Sequence, residues 1–395
     1  MNILFINHSN IIGGAELSMV DLVKYLAQNN VKCYVAIKKC KKNLLGKKLE
    51  LIPNTSVCYV KSISLIPNNR KTDVSFVNEI KSNLYNYLKS IQNFFSYLKI
   101  LKTINAKNID LIHTNTIYPT IGKKLAQKLK IPHIQHIREL VSVVGKINNF
   151  KYLNDELKFV QKYGTHSGII ANSTFCLKEN LKFYNSRNQL VMYNSVSKDF
   201  FGNIPQTTTT KVGLVANVTS KWKRHDLFIG LAKKYKEKYN DSIQFVIYGS
   251  LPKDSSKYYT SLMDKIRNEK LLDFVKFSGS VPSFQIYNEI KILVHCCPEE
   301  PFGRIFVEAA AAGIPIVAIR GGGASEIVNT KMGFLFNHNQ LEKMADKIKQ
   351  LISSKSKFNN LSKTARIEAQ QYLSENVYKN IIPFYKKIIH EKLSN

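Results

Sequence analysis

The residues of this chain best suited by type and spacing to do chemistry are Glu300 and Glu308. They are separated by seven residues within Val294 to Val328, VHCCPEEPFGRIFVEAAAAGIPIVAIRGGGASEIV. A carboxylate accepts hydrogen bonds from vicinal hydroxyls and offers nothing complementary to a phosphate, so two of them flanking a helix N-terminus suit a polyol joined to a diphosphate. The backbone N–H groups around Phe302, Gly303 and Arg304 would take the phosphate, with the glycine allowing close approach. The alternative is that Glu308 is a solvated helix residue and Glu300 a first-turn carboxylate favoured by the helix dipole. The intervening PFG, the alanine run and the trailing GGGASEIV favour the first reading.

Those carboxylates need a scaffold, and the flanking pattern supplies one. Ile292 to Val294 reads as a buried strand. A helix opening near Phe302 follows, carrying Ile305, Phe306, Val307 and Ala309 to Ala312, then a second strand, Ile316 to Ile319, and the triplet Gly321 to Gly323. Open α/β sheets hold ligands in loops at the carboxyl edge of such strands. Further strands alternate with helical segments: Asn2 to Ile6, Val31 to Ile37, Val57 to Val60, Leu111 to His113, His133 to Ile137, Gly168 to Ala171, Gln189 to Met192, Val212 to Ala216, Gln244 to Tyr248 and Val275 to Phe277. That alternation predicts parallel, doubly wound sheets. Gly13 and Gly14 fall at the first strand-to-helix junction, where either a tight turn or a close ligand explains them. His113 and His136 are placed at the carboxyl ends of their strands, and a lone histidine there is either a structural hydrogen-bonding residue or a ligand contact.

The periodic pattern stops around Asn194 to Val196, and Asn203 to Lys211 (NIPQTTTTK) is polar. The predicted division is therefore residues 1–196 and 197–376, with a final helical segment, Val377 to Lys392, returning to the first domain.

The stretch from Glu300 resembles the signature of family 4 of the retaining glycosyltransferases, E-P-F-G-x4-E-A-x-A-x-G-x-P followed by G-G-x2-E. It is met by Glu300, Pro301, Phe302, Gly303, Glu308, Ala309, Ala311, Gly313, Pro315, Gly322, Gly323 and Glu326. Gly13, Gly14, Ala15 and Glu16 resemble the GGAE element of that family, and His136 in PHIQHIRE matches its donor-sugar histidine. The resemblance implies an α/β GT-B fold, two Rossmann-like doubly wound domains facing across a cleft. It also implies transfer of a hexose-type sugar from a nucleotide diphosphate, UDP or GDP, to a sugar or a polyprenyl-diphosphate-linked glycan, with retention and without a metal or other cofactor, in the making of a surface polysaccharide. Glu300 would hold donor-sugar hydroxyls, Glu308 the ribose, Lys223 the diphosphate and His136 the transferred sugar. The diphosphate clamp departs from the family pattern: Asn217 stands where arginine is usual and Arg224 where glycine is usual, so Arg224 or Lys221 would have to restore the charge. The other reading of the resemblance is an inactive GT-B protein serving as a basic binding module.

Composition narrows the field. The net charge is +30 and 44% of the residues are hydrophobic. No nucleic-acid-binding motif accompanies the charge, no phosphate loop of an ATPase or dehydrogenase follows a strand, and no Asp-x-Asp triplet offers a metal site. The opening MNILFIN reads as a buried strand and no signal peptide, and six scattered cysteines suit reduced thiols in a cytoplasm, with no zinc spacing. Between Lys81 and Lys107 there is no acidic residue. Leu84, Leu88, Ile91, Phe95 and Leu98 form a stripe ringed by Tyr85, Tyr87, Phe94 and Tyr97, which suits either an anionic membrane surface or packing on the domain's sheet. Lys38, Lys39, Lys41, Lys42, Lys47 and Lys48, expected in a loop, add to that charge.

Overall fold

The computed structural model describes residues 1–63, 76–103, 108–119, 121–147, 166–202, 210–218, 221–239, 241–252 and 256–394. Most of the polar segment Asn203 to Lys211, and Lys107, lie outside the described residues. The chain divides into two compact units, Met1–Ser195 with Ser374–Asn395, and Val196–Leu373.

The first unit is built on a seven-stranded sheet: β1 (Asn2–Ile6), β2 (Lys32–Lys38), β3 (Thr55–Val60), β4 (Leu111–Asn115), β5 (His133–Ile137), β6 (Gly168–Ala171) and β7 (Gln189–Val191). Every pairing is parallel and the order is β3-β2-β1-β4-β5-β6-β7. The reversal of strand order falls between β1 and β4, which makes the carboxyl ends of those strands a switch-point crevice. Side chains alternate across the sheet with the period of two that a strand imposes. Ile3 and Phe5 pack with Leu22, Leu26, Ile381 and Tyr385 on one face. Leu4 and Ile6 pack with Ile112, Ile121 and Leu125 on the other. Both faces are covered, which is why β1 and β6 read as nearly continuous apolar runs, while β4 and β5 carry buried polar residues.

The second unit repeats the plan with β8 (Lys211–Val215), β9 (Gln244–Tyr248), β10 (Val275–Gly279), β11 (Ile290–His295), β12 (Ile316–Ile319) and β13 (Gly333–Phe336). The order is β10-β9-β8-β11-β12-β13, again all parallel, with its switch point between β8 and β11. Val212, Leu214, Ile292 and Val294 pack against Phe228, Ile229, Leu231 and Tyr235 of the helix His225–Tyr239.

Several elements differ from the sequence expectation. His113 sits in the middle of β4, not at its end, because the strand runs on through Thr114 to Asn115. The expected lysine-rich loop contains a helix, Leu44–Glu50, which carries Lys47 and Lys48. The helix after β11 starts at Arg304, since Gly303 caps it at φ +83. Gly322 and Gly323 open a short helix, Gly322–Ile327. The final helical segment is broken into Ser374–Val377 and Ile381–Leu393. Strand β13 was not foreseen.

The helix Phe76–Thr103 carries its amphipathic pattern turned outward. Asn93, Ser96 and Ile100 are buried, while Leu84, Tyr87, Leu88, Ile91, Phe94, Phe95 and Leu98 are exposed, Phe95 at 60%. The polar inner face is held by hydrogen bonds: Ser96 Oγ accepts from the Ser62 amide (3.1 Å) and donates to the Gln92 carbonyl (2.8 Å). The side chains of Lys81, Tyr85 and Lys89 lie outside the described residues. No described helix is long and apolar enough to cross a membrane.

Candidate functional site

In the second unit the sheet reversal brings together the loops after β8 and β11, and with them Lys223 and Glu300. Lys223 ends a single 3₁₀ turn, Lys221–Lys223. Its ammonium donates to the Glu300 carboxylate at 2.6 Å and lies 3.8 Å from the centre of the Trp222 ring. Their side chains are only 20% and 13% exposed. Burial pushes the Glu300 carboxyl up, but the Lys223 charge and hydrogen bond outweigh it, so the group sits below its usual range and is ionised. His295, at the end of β11, is 3.5 Å from the same carboxylate, yet burial holds its pKa down at about 4. The contact is therefore a neutral imidazole beside a carboxylate.

The backbone explains the glycines. Gly303 adopts φ +83, and a Cβ there would press on the Phe306 ring and on the Glu300 side chain. At Gly323 a Cβ would fall 2.6 Å from the Phe302 Cα, while the Gly323 amide donates to the Glu300 carbonyl at 2.6 Å. The trailing glycines thus let one loop lie against the backbone that presents Glu300. Phe302 is buried and meets Tyr372 edge-on, so its side chain anchors the loop. Glu308, on the helix Arg304–Ala311, is buried: it accepts from the Tyr287 hydroxyl at 3.2 Å and from Arg304 Nε at 3.3 Å. Both carboxylates the sequence singled out are thus partnered, and the burial of Glu308 rules out a solvated helix position for it.

The clamp positions behave differently. Asn217 accepts a hydrogen bond from the Ser250 amide at 2.9 Å, tying the loops after β8 and β9 together. Arg224, at φ +56, is turned onto Asp226, with Nε and Nη2 each 3.0 Å from a carboxylate oxygen. In this structure its charge is paired at the start of its own helix. Lys221 is exposed. His295, Cys297 and Glu300 offer ligand atoms within 4.8 Å of one another, a grouping the sequence reading missed because it crosses a strand end. The carboxylate that a cation would need is already engaged by Lys223.

In the first unit the switch-point crevice is lined by the turn after β1 and the ends of β4 and β5. Gly13 caps the helix Gly14–Gln28 in an extended conformation, and a Cβ there would come 2.9 Å from a Glu16 carboxylate oxygen. His136 is fully buried on β5. The hub of this region is Arg138, which sequence reasoning missed: it donates to Asn115 Oδ1 (2.7 Å), Asn194 Oδ1 (2.6 Å) and His136 Nδ1 (3.3 Å). Glu139 was missed too. Its carboxylate accepts from the Ile117 amide at 3.2 Å, and burial with the nearby Glu16 charge raises its pKa to about 7. The available signal was position alone, since both directly follow β5.

Three comparisons place this geometry among known proteins. Residues 196–368 match the family described as glycosyl transferases group 1. The chain is 27% identical over 375 residues to an uncharacterized glycosyltransferase of Methanocaldococcus jannaschii, covering 87% of this chain and 98% of that protein. Among solved structures it is similar to Anabaena HepE in complex with UDP and glucose, with TM-score 0.74 and 21% identity, covering 98% of this chain and 100% of the other. It is likewise similar to TarM, with TM-score 0.70 and 15% identity, covering 97% and 98%. The chain has the GT-B fold, its residues 196–368 match the glycosyl transferases group 1 family, and the activity these similarities support is that of a glycosyltransferase.

Proposed function

We propose that the chain is a family 4, retaining, metal-independent enzyme that moves a hexose-type sugar from a nucleotide diphosphate to a sugar or lipid-linked glycan during synthesis of a surface polysaccharide. The observation that carries this reading is the largely shielded Lys223–Glu300 pair at the carboxyl edge of the second sheet, with Glu308 one turn into the helix that follows. On this reading Lys223 supplies positive charge to the leaving diphosphate, Glu300 accepts from sugar hydroxyls and Glu308 from the ribose. His136 contacts the transferred sugar, and Gly13 and Gly14 permit close approach of ligand. The backbone at Phe302, Gly303 and Arg304 receives phosphate oxygens. The leaving phosphate accepts the proton of the attacking hydroxyl, so no protein nucleophile is required. Relatives favour the polysaccharide context: the capsular polysaccharide biosynthesis glycosyltransferase CapM of Staphylococcus aureus is 22% identical over 182 residues, 46% of this chain. The UDP and UDP-glucose in the HepE structures favour a UDP-sugar donor.

The exposed apolar face of the helix Phe76–Thr103, with Lys99 and Lys102 also exposed, supports peripheral docking on the anionic cytoplasmic face of a membrane. The six cysteines are all free, in keeping with a reducing compartment.

A second reading, an inactive basic binding protein, draws on Asn217 and on the capture of Arg224 by Asp226. A panel of nucleotide sugars assayed for transfer and hydrolysis separates the two. Turnover of one donor, lost in Glu300→Gln and Lys223→Ala variants that still fold, supports the enzyme. Saturable nucleotide binding with no turnover of any donor supports the relic.

A further inference from the structure

His136 stands at the end of a buried chain of hydrogen bonds that begins on the last helix. The Tyr385 hydroxyl is 2.7 Å from His113 Nδ1, His113 Nε2 is 3.1 Å from His136 Nδ1, and Arg138 Nη2 is 3.3 Å from that same Nδ1. Tyr385, His113 and His136 are each completely buried. We infer that Tyr385 and His113 are positioning residues that hold His136 in the tautomer with its proton on Nε2, presenting that N–H to an oxygen of the bound substrate.

Donor and acceptor chemistry settles the direction of every link. A guanidinium has donors and no acceptor, so His136 Nδ1, facing Arg138, accepts. Burial, then Arg138 and His113, hold the imidazole pKa well below its ordinary value, so the ring is neutral and its single proton is on Nε2. His113 Nε2 meets the same acceptor and is therefore an N–H donor. That ring too is held neutral by burial and by Arg138, which leaves its Nδ1 bare to accept from Tyr385. Burial pushes the Tyr385 phenol well above its usual range, so the hydroxyl keeps its proton and donates it. The chain thus runs from Tyr385 O–H to His113 and from His113 N–H to His136.

At the far end, His136 Nε2 is buried and has no hydrogen-bond partner among the described residues. A desolvated donor left unfilled is unfavourable, so an incoming oxygen acceptor gains more there than it would in water. A hydroxyl, ring or phosphate oxygen fits; a cation or an amine donor does not. The tautomer assignment stands on this unit alone, while its role in transfer rests on the functional reading above.

The test is long-range ¹H–¹⁵N correlation of histidine ring nitrogens in the full-length protein, alongside steady-state transfer kinetics. In the wild type, His136 should show a protonated Nε2 and a bare Nδ1. Tyr385→Phe and His113→Leu should give a mixture of tautomers and lower kcat at least about tenfold, with KM for the nucleotide sugar little changed. That loss is smaller than the roughly 10²-fold typical of removing a preorganised donor outright. His113→Gln keeps an N–H near the Nε2 position and should retain the wild-type tautomer and most of kcat. Tyr378→Phe removes a different buried hydroxyl, one that pairs with Ser195 Oγ at 3.0 Å, and should change neither readout. A proton on His136 Nδ1 in the wild type, or an unchanged tautomer in both Tyr385→Phe and His113→Leu, overturns the inference. A changed tautomer with unchanged kcat overturns the positioning role and the assignment of His136 to the donor sugar together, and leaves the tautomer assignment standing.

Discussion

Lys223→Ala removes the cation that keeps a buried carboxylate charged, and the structure allows its effect to be worked through. At 2.6 Å the pair attracts by roughly 6 kcal/mol at an effective dielectric of 20. Withdrawing each ion from water costs several kcal/mol, so the net value of the pair is far smaller. Losing one partner is different, because Glu300 keeps its burial and loses its main counter-charge. Breaking a buried pair in this way typically costs about 3–5 kcal/mol. The residual exposure of 20% and 13% puts this site just below that range, at about 2–3 kcal/mol. For a domain of this size that lowers Tm by roughly 5–10 °C. Glu300→Gln is milder, about 1 kcal/mol, since Lys223 can turn to water while staying over Trp222. If the groups are coupled, the double variant is less damaged than the sum of the two singles by more than about 1 kcal/mol. Calorimetry and urea titration give the three stabilities, and donor turnover should fall about 10²-fold or more in each single variant. Additive stabilities to within about 0.5 kcal/mol, or full turnover in either variant, would refute the reasoning.

Three further outcomes are expected. Transfer should persist in EDTA, because Lys223 supplies the charge that a divalent ion would otherwise bring; loss restored by magnesium or manganese would count against this. Stability should fall as pH drops from about 6.5 toward 4: His113 and His136 are held well below the ordinary 6.5, His8 and His295 at about 4 and His133 at about 3, so the folded state binds fewer protons than the unfolded chain across that window. Glu139, raised to about 7 from 4.5, works in the opposite sense, and Glu139→Gln should steepen the acid loss; a Tm flat from pH 7.5 to 5 in both proteins would contradict these assignments. Finally, the protein should sediment with anionic liposomes at low salt and not with neutral ones, weakening as salt rises, and both Lys99→Glu with Lys102→Glu and Phe94→Ser with Phe95→Ser should reduce it; equal pelleting of all forms would sink the membrane assignment.

The central strands were legible because a parallel sheet covered on both faces favours uninterrupted apolar runs, and Ile3 to Ile6 and Ile316 to Ile319 carry them undiluted. Strand β13 escaped for the opposite reason: Gly333–Phe336 lies at the sheet edge, and three of its four residues are only half buried. Glu300, Glu308 and the glycines between and after them were legible because their geometry is local to one strand, helix and strand. Pairing Lys223 with Glu300 bridges 77 positions, and Tyr385 with His113 bridges 272, separations over which spacing carries no information. Arg224 shows the limit of reading charge as position. The sequence puts a cation near the proposed diphosphate loop, and only the structure shows that it is paired with Asp226 two residues on.

The helix Phe76–Thr103 adds a separate lesson about direction. Its period of 3.6 announces an apolar stripe, and in an α/β domain such a stripe normally covers the sheet. Here that inner role falls to Asn93, Ser96 and Ile100, and burial of the Ser96 hydroxyl is offset by its bonds to Ser62 and Gln92. Periodicity gives the angle between the two faces and says nothing about which one turns inward. That choice is set by partners far along the chain. A helix that turns Asn93 and Ser96 inward while leaving Phe94, Phe95 and Leu98 in water incurs a hydrophobic cost that an apolar surface would relieve. The neighbouring lysines Lys99 and Lys102 select an anionic surface over a neutral one, and the liposome comparison separates those two terms by substituting charge and apolar residues independently.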